Sequence, residues 1–452
     1  MTILETYHRL HPRSAELHRR ALDLFPDGVT HDTRRFTPFP IYVERAQGAR
    51  KWDVDGNELI DYVSGHGALL LGHGRPEVVE AVRRQVERGT HYGASHELEI
   101  EWGRWVQRLV PSAERVRFTS SGTEAVQMAV RLARAFTRRE LLVKFEHHFH
   151  GWSDTVSAQL AGNEGPPFAV GVPQGVLGYQ LILPVNDVAA LERALEEHRG
   201  RIAAVIIEPT GAAMGSTPVE PAFLHELRRL TQREGIILIF DEVVTGFRVA
   251  PGGAQAFYGI TPDLTTMAKI LAGGLPGGAV AGRAELLNEI SFTDERGMPR
   301  AERVAHPGTF NANPLSAAAG VAALGIVATG EPHRLANAAA LALAQGMNAV
   351  LRRREVAGCV YGQGSILHVL LGKEAPPPAD GITWQWPDGD HRHVPHTEPP
   401  VTAAFRRAMI NEGVDPMGAR LIVSAAHGER EVELTIAAFD RALAAMQEEG
   451  IL

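Results

Sequence analysis

The stretch Ile236-Ile-Leu-Ile-Phe240-Asp-Glu242 decides the fold class, because five consecutive apolar residues run directly into two carboxylates. A strand that is covered on both faces has a near-continuous apolar sequence of this kind. Two similar runs, Leu141-Leu-Val-Lys-Phe145 and Ala203-Ala-Val-Ile-Ile207, precede it. Amphipathic helices are predicted between the runs, over 188–198 and 220–233. This alternation predicts an α/β fold with a parallel or mostly parallel sheet.

The sequence pattern changes after about residue 330 and predicts a second, smaller lobe. Its predicted elements are an alanine-rich helix, a strand-like region, a last strand and a closing helix, over 332–354, 364–371, 421–425 and 429–448. The stretch 373–400 is rich in proline and charge and has no period, so we predict a long loop there.

Length and composition limit the function classes. The chain has 452 residues, of which 44% are hydrophobic, and is too long for one compact core. Its net charge of −8 comes from well-mixed acids and bases, so we expect no nucleic-acid partner. Residues 1–20 contain no secretory apolar region, and the most apolar segment, 315–328, is too short to span a bilayer. We therefore expect no membrane association. The single cysteine, Cys359, fits a cytoplasmic protein.

One lysine and two carboxylates are the first candidates for chemistry. Lys269 ends the run Thr265-Thr-Met-Ala-Lys269 and precedes a glycine-rich turn, while Glu208 and Asp241 end predicted strands. Ligands of open α/β sheets gather at that edge. A desolvated lysine can form a Schiff base, and a strand-end carboxylate can pair with a protonated ring nitrogen, which are the two groups that pyridoxal phosphate needs most. Taken alone, Lys269 is more simply a solvated surface charge.

Two further segments are candidates for phosphate contacts. Thr119-Ser-Ser-Gly-Thr-Glu-Ala125 follows a strand and opens a helix, so its N–H groups and hydroxyls can bind an anion. An ordinary helix N-cap is an equally good interpretation of that segment. The segment 306–314, His-Pro-Gly-Thr-Phe-Asn-Ala-Asn-Pro, is either a second phosphate contact or a plain turn.

Histidine clusters were the remaining candidates for a metal site. There are two of them: His147, His148 and His150, and His391, His393 and His396. Neither cluster has the neighbouring cysteine or carboxylate pattern that is typical of zinc. We predict structural or surface roles for both clusters and no metal.

Taken together, these motifs resemble the class III aminotransferases of the pyridoxal phosphate fold-type I superfamily. Within that class the chain is similar to the glutamate-1-semialdehyde aminomutase-like group, and most like its β-amino acid (β-phenylalanine-type) aminotransferases. The matching segments, in chain order, are 52–57, 117–125, 240–248, 262–269 with 273–276, and 308–310 with 313–314.

The resemblance implies a large domain with a mostly parallel seven-stranded sheet and a smaller α+β domain. The small domain would combine 1–65 and 331–452, and 66–330 would form the large cofactor-binding domain. It also implies a homodimer with each active site at the subunit interface.

The resemblance also assigns roles around the cofactor, pyridoxal 5′-phosphate. Lys269 would be the Schiff-base lysine and would later move a proton, and Asp241 would keep the pyridine nitrogen protonated. The remaining contacts would be phosphate ligands, ring-stacking side chains and a group near the ring hydroxyl. They are Ser121, Gly122, Thr123 and the partner-supplied Thr309 for the phosphate, Phe149 and Val243 for the two ring faces, and Glu208 for the hydroxyl.

Substrate recognition is where the sequence departs from the aminomutase pattern. Arg34 aligns with an arginine that binds a substrate carboxylate in this group, and His66 stands where the aminomutases usually carry tryptophan. The segment 413–424 is shorter than its aminomutase counterpart and lacks the glutamate found there, and in its place is Arg420. We therefore expect transfer of an amino group between a β-amino acid and an α-ketoacid. The alternatives are a glutamate-1-semialdehyde 2,1-aminomutase and a non-catalytic cofactor-binding protein, which would not need Lys269.

Overall fold

The computed structural model describes residues 1–158, 170–294, 296–386 and 391–452. The chain divides into two compact units, the first made of Met1–Arg75, Pro332–Gly389 and Pro395–Leu452, and the second of Pro76–Glu331 and Asp390–Val394. Residues 66–75, which we expected in the large domain, are grouped with the first unit. The reason is local pairing, since His73 forms a β-bridge with Gly48 and its Nε2 lies 2.6 Å from Asp61 Oδ2.

The second unit is built on a seven-stranded sheet. Across the sheet the strands are Arg115–Thr119, Gly278–Gly282, Leu264–Ala268, Ile237–Glu242, Ile202–Ile207, Leu141–Phe145 and Gln180–Leu183. Only Gly278–Gly282 runs against its neighbours in this sheet, and the other described pairs are parallel. The expected α/β fold with a mostly parallel seven-stranded sheet is confirmed.

Helices cover both faces of this sheet, which explains the unbroken apolar runs in the sequence. Successive side chains of a strand point to opposite faces. Ile206 packs in the cluster that includes the helix Gly122–Thr137, whereas Ile207 packs in the cluster that includes the helix Pro221–Glu234. Both isoleucine side chains are fully buried, and burial of each contributes about 1.5–3 kcal/mol.

The helices of the second unit vary in length from one turn to four. Its α-helices are Pro76–Arg88, Glu97–Leu109, Gly122–Thr137, Gln174–Leu177, Val188–Glu197, Ala212–Gly215, Pro221–Glu234, Gly253–Tyr258, Ala284–Leu287 and Pro314–Val327. Short 3₁₀ turns cover Asp154–Val156, Lys269–Ala272 and Asn288–Ile290, and a two-residue strand covers Thr217–Pro218.

The first unit contains two small sheets. One has the strand order Val43–Gln47, Arg50–Asp53, Glu58–Asp61 and Val414–Asp415, and the other has the antiparallel order Gly358–Gln363, Ile366–Leu371 and Arg420–Ile422. Its α-helices are Ile3–Leu10, Pro12–Leu22, Ser64–Gly67, Glu331–Arg353, Pro399–Asn411 and Glu429–Glu448, and its 3₁₀ turns are Pro26–Gly28 and Asp32–Arg34.

The core of the first unit joins the two ends of the chain. Ile60, from the N-terminal part, packs in one buried cluster with Phe405 and Phe439 from the C-terminal part. The two phenylalanine rings meet edge to face at 5.9 Å. The N-terminal segment therefore folds as part of the same unit as the C-terminal lobe.

Within the described ranges, no single helix has both the length and the apolar character needed to cross a membrane. The helices Pro314–Val327 and Glu331–Arg353 meet those two criteria only when they are taken together.

Candidate active site

Three neighbouring strands of the large sheet bring the candidate catalytic residues to one edge. Glu208 directly follows Ile202–Ile207, Asp241 is the penultimate residue of the adjacent strand Ile237–Glu242, and Lys269 directly follows Leu264–Ala268. Because these strands are parallel, their carboxyl ends lie side by side. The crevice outside these ends is where open α/β sheets bind ligands.

Asp241 is held rigidly at this edge. Its side chain is 4% exposed and accepts hydrogen bonds from the backbone N–H of Val243 (3.1 Å to Oδ1), from Thr266 Oγ1 (3.1 Å to Oδ1) and from His150 Nδ1 (2.7 Å to Oδ2). A carboxylate offers about four lone-pair sites. These three contacts leave Oδ2 able to accept one more hydrogen bond, such as that of a protonated ring nitrogen.

His150 is a site residue that sequence reasoning missed, since we had predicted a structural or surface role for its cluster. The ring is 1% exposed, and because a carboxylate only accepts, Nδ1 is the donor to Asp241. Burial lowers the pKa of His150, although Asp241 acts in the opposite direction. The signal in the sequence was the spacing His148-Phe-His150 next to the expected stacking aromatic.

Glu208 lies in the same crevice and is also buried. Its carboxylate accepts from the backbone N–H groups of Phe149 (2.8 Å), Ala213 (3.2 Å) and Met214 (3.3 Å). Burial, together with the negative charge of Asp241, raises the pKa of Glu208 to about 7. Glu208 therefore changes its protonation state in the neutral range, whereas an exposed glutamate would be ionised throughout it.

The helix Gly122–Thr137 begins at the same edge, and its first turn is closely packed. Ser121 is its N-cap and accepts from the backbone N–H of Glu124 at 3.2 Å. A Cβ at Gly122 would lie 2.9 Å from both methyl carbons of Val243, so only glycine fits there. A Cβ at Gly151 would lie 2.6 Å from Thr123 Oγ1.

These contacts bring the predicted phosphate ligands close to the predicted ring contacts. The first N–H groups of an α-helix have no partner within the helix and favour an anion. A phosphate at this helix start and a ring N–H at Asp241 are the two ends that pyridoxal phosphate presents, so the residues fit this cofactor.

Lys269 leaves its strand in a conformation that is unusual for lysine. Its φ is 55°, in the left-handed region, which costs of order 1–3 kcal/mol for a non-glycine residue. The side chain is half-buried. Backbone strain of this kind is concentrated at functional sites, where it aims a side chain.

The other predicted cofactor contacts are more exposed. Phe149 is 51% exposed, and its backbone N–H is tied to Glu208. Thr309 lies in an exposed loop, and its carbonyl oxygen is 2.6 Å from His91 Nε2. The family resemblance implies that Thr309 serves the site of a partner subunit, and this stays a prediction.

Two of the three predicted substrate residues line one cavity of the first unit. The cavity has a volume of about 680 Å³ and includes Arg34 and His66 in its lining. Arg34 donates to Thr30 Oγ1 at 2.8 Å, and His66 Nε2 lies 3.0 Å from Thr33 Oγ1.

The third predicted substrate residue, Arg420, lies elsewhere in the first unit. It begins the strand Arg420–Ile422 opposite His368 and, among the described residues, is not part of that cavity lining. The structure therefore brings Arg34 and His66 together but does not place Arg420 with them.

Among the described residues, one group has ligand atoms close enough for a metal ion. His11, Asp53 and Asp55 bring one ligand atom each within 4.8 Å of one another. Their oxygens, however, accept hydrogen bonds from the turn itself and from Ser14, and His11 Nδ1 lies 2.8 Å from Asp53. These contacts explain the cluster as a structural turn, and the absence of a metal stays a prediction.

The chain was compared with known proteins. It matches the aminotransferase class-III family over residues 32–380. It is 38% identical to a glutamate-1-semialdehyde 2,1-aminomutase of Ignicoccus hospitalis, covering 95% of this chain and 99% of that protein. It is 37% identical to an omega-transaminase of Sphaerobacter thermophilus, with a TM-score of 0.86 and coverage of 96% and 98%.

A more distant solved structure is a β-phenylalanine aminotransferase of Variovorax paradoxus, at 29% identity, a TM-score of 0.82 and coverage of 100% of this chain and 98% of that chain. The family match covers more than half of the chain, and the relative from Ignicoccus hospitalis is 38% identical over nearly all of it. Such a match indicates common family membership and not only a similar fold. The chain therefore belongs to the class III aminotransferase family and is a pyridoxal 5′-phosphate-dependent enzyme of fold type I.

Proposed function

We propose that this enzyme transfers an amino group between a β-amino acid and an α-ketoacid. The observation that carries the proposal is the cavity in the first unit, which combines the guanidinium of Arg34 with apolar lining residues that include Phe25, Val29 and Ile41. The lining also contains Lys51 and Arg406, and both of these cations pair with Asp415. A guanidinium fork suits a carboxylate, and the apolar lining suits an uncharged side chain. A β-amino acid carries both groups.

The cofactor supplies an electron sink for the negative charge that develops on the substrate carbon. In our proposal the chain's own residues do the rest. Asp241 keeps a proton on the ring nitrogen, because a buried carboxylate stabilises the cationic form. His150 donates to Oδ2 of that carboxylate and so orients it. Lys269 would hold the cofactor covalently in the resting enzyme, and its Nζ, free of that link when substrate is bound, would carry a proton to and from the substrate carbon.

The other cofactor contacts in the proposal bind and orient. Ser121, Gly122 and Thr123 hold the phosphate at the helix start, and Phe149 and Val243 enclose the ring. Glu208 lies near the ring hydroxyl and exchanges a proton with its surroundings in the neutral range, which its raised pKa supports.

We further propose that the enzyme is a cytoplasmic homodimer with shared active sites. Thr309 would reach the phosphate bound by the partner subunit. Its position in an exposed loop is consistent with a contact outside its own chain. The buried, unpaired thiol of Cys359 is compatible with a reducing compartment.

The second candidate function is that of a glutamate-1-semialdehyde 2,1-aminomutase. The relative from Ignicoccus hospitalis has that name, and the match covers 99% of its length. Taken by themselves, the sequence comparisons favour this candidate over the first. Local residues point the other way, since Arg420 and His66 depart from the aminomutase pattern. The omega-transaminase at 37% identity shows that overall identity alone does not separate the two reactions.

A donor and acceptor panel with purified enzyme separates the two candidates. Our proposal expects loss of a β-amino acid that depends on an added α-ketoacid. Conversion of glutamate 1-semialdehyde to 5-aminolevulinate without any ketoacid, and no activity on β-amino acids, would establish the aminomutase instead.

Substitution of the arginines sharpens this experiment. Arg34→Ala should raise KM for the β-amino acid, at a cost of roughly 2–4 kcal/mol for a charge-assisted bidentate contact. Arg35→Ala is the matched control, because the Arg35 side chain is 68% exposed and pairs with Asp27, whose side chain is 69% exposed. Arg420→Ala should chiefly impair the half-reaction with the ketoacid. Equal effects of the Arg34 and Arg35 substitutions would refute the role of Arg34.

A further inference from the structure

The loop that carries Thr309 is fixed by side chains from two earlier segments of the second unit. At its start, Arg117 on the strand Arg115–Thr119 donates from Nε to His306 Nδ1 at 2.9 Å and from Nη2 to the His306 carbonyl at 3.1 Å. This contact secures the first residues of the loop. Thr309 follows three residues later.

His91 binds the loop at Thr309 itself. Its Nε2 lies 2.6 Å from the Thr309 carbonyl oxygen, and its Nδ1 accepts the backbone N–H of Gly93 at 3.2 Å. Its ring also meets Phe310 edge to face at 5.3 Å. The residue that bears the predicted phosphate contact is thus restrained through its own carbonyl.

His96 makes a similar pair of contacts at Ala312, three residues after Thr309. Its Nε2 lies 2.8 Å from the Ala312 carbonyl oxygen, and its Nδ1 accepts the backbone N–H of Glu99 at 3.2 Å, where it caps the helix Glu97–Leu109. The same ring therefore joins a helix start to the loop.

The pattern of donors and acceptors determines the form of both rings. A carbonyl oxygen only accepts, so Nε2 of His91 and of His96 must donate. A backbone N–H only donates, so Nδ1 of each ring must accept. Each ring therefore binds the loop through Nε2 and its own segment, 91–99, through Nδ1.

We propose that His91 and His96 are positioning residues that hold Thr309 in place for the cofactor phosphate. This inference rests on the proposed function, in which Thr309 contacts the phosphate in the partner subunit. Restraint at the carbonyls of 309 and 312 sets the direction of the Thr309 side chain before the phosphate arrives. A loop that is ordered in advance loses less conformational entropy on binding.

The test compares two ligands that differ only in the phosphate. The full-length protein is stripped of cofactor and titrated with pyridoxal 5′-phosphate and with pyridoxal, and the ratio of the two Kd values is measured. His91→Asn removes the donor at the Nε2 position, whereas His91→Gln keeps an amide donor there. We expect His91→Asn to weaken pyridoxal phosphate about tenfold, in line with the loss of one hydrogen bond, and to leave pyridoxal unchanged. His91→Gln should recover most of the loss.

The pair His96→Asn and His96→Gln repeats the measurement at the second histidine, so the inference does not depend on one variant folding. Equal weakening of both ligands by the asparagine variants, or no recovery with glutamine, would overturn it.

Thr309→Ala separates this inference from the proposed function. If Thr309→Ala lowers the preference for the phosphorylated ligand but the histidine variants do not, the positioning role is wrong and the shared site stands. If Thr309→Ala leaves that preference unchanged, the shared phosphate contact is wrong, and the positioning role is wrong with it.

Discussion

Each unit contains a buried cluster of charged residues, and the two clusters differ in how their charges are balanced. In the first unit, Lys51 Nζ donates to Asp61 at 2.8 Å and to Asp415 at 2.5 Å. Arg406 donates to Asp415 at 3.1 Å, and His73 lies 2.6 Å from Asp61. Burial by itself would raise the pKa of Asp61, but the charge of Lys51 and the bonds from its partners hold it below its usual range.

In the second unit, two buried carboxylates lie at neighbouring strand ends. Burial and the charge of Asp241 raise the pKa of Glu208 to about 7, in the direction opposite to Asp61. The contacts of Glu208 are backbone N–H groups, and those of Asp241 are a backbone N–H, a hydroxyl and a histidine whose own pKa is lowered by burial.

The comparison separates a cluster whose buried charges are balanced from one whose charges are not. In the first, the cations Lys51 and Arg406 balance Asp61 and Asp415, so loss of one partner would leave a buried charge uncompensated. The second keeps negative charge buried with fewer compensating groups, an arrangement that a bound cation relieves. A protonated pyridine ring is such a cation, and perturbed carboxylates in a cleft are typical of active sites.

The largest effect is expected from Lys269→Ala. Removal of the covalent link and of the proton carrier should reduce turnover by more than about 10⁴-fold, since covalent and general acid–base contributions are lost together. Borohydride reduction of the holoenzyme followed by peptide mapping should give a cofactor adduct at Lys269 in the wild type and none in the variant. An adduct at another lysine would show that the assignment is wrong.

Asp241→Asn should reduce turnover by roughly 100-fold or more while changing substrate KM little, because an amide cannot stabilise the protonated ring. Asp263→Asn is the matched control. Asp263 is also buried, but it precedes the strand Leu264–Ala268 and binds Arg228 and Arg283 at the opposite end of the sheet. We expect the control to lose stability and keep its turnover per folded enzyme. Near-native turnover of Asp241→Asn would contradict its role.

Lys51→Met should lower the free energy of unfolding by about 3–5 kcal/mol, because it leaves the buried carboxylates of Asp61 and Asp415 without their lysine partner. The control is Lys373→Met. Lys373 pairs with Glu398 at the surface, with both side chains more than one-third exposed, and its loss should cost less than about 1 kcal/mol. Denaturant unfolding measures both changes. Similar losses of unfolding free energy in the two variants would show that the buried Lys51 matters no more for stability than a surface lysine.

Glu208→Gln should remove a pH-dependent cost of folding. A raised pKa means that the native state keeps a proton that the unfolded state has already released. As the pH rises from about 4.5 to 7, the contribution of Glu208 to the free energy of unfolding therefore falls by about 1.4 kcal/mol per pH unit. Above that range the contribution is constant. Relative to wild type, the variant should gain stability across this window.

The measurement is denaturant unfolding of cofactor-free protein at pH 5 and pH 8, since bound cofactor stabilises the native state by mass action. Glu226→Gln is the control, because hydrogen bonds from Arg229 lower the pKa of Glu226. A difference between Glu208→Gln and wild type that does not vary with pH would contradict the raised pKa.

Much of the fold follows from short-range pattern. The predicted run 141–145 is a strand with the same bounds, and the runs at 203–207 and 236–240 are strands that begin and end within two residues of the expected positions. Apolar runs and amphipathic periods are local properties, so one sequence is enough to find them. The grouping of residues 66–75 with the first unit was not predicted, because it depends on pairing of His73 with Gly48 and Asp61.

The candidate site was predictable in part. Lys269, Asp241 and Glu208 are found because strand ends converge at one edge of a parallel sheet. His150 was not found, since its role depends on a contact with Asp241, 91 positions away in the sequence. The tight fit of Gly122 against Val243 was equally invisible, because it arises only when the helix start packs against the strand end.

The sequence by itself determined the elements, their order, the family motifs and the residue types able to do the chemistry, because these depend on near neighbours along the chain. Only the tertiary structure decided the electrostatic character of each buried carboxylate. Asp61 and Glu208 are both buried acids at strand ends, yet their pKa values move in opposite directions. That difference comes from which groups the fold packs around each one, and charge interactions in a buried environment depend on distance in space and not on position in the chain.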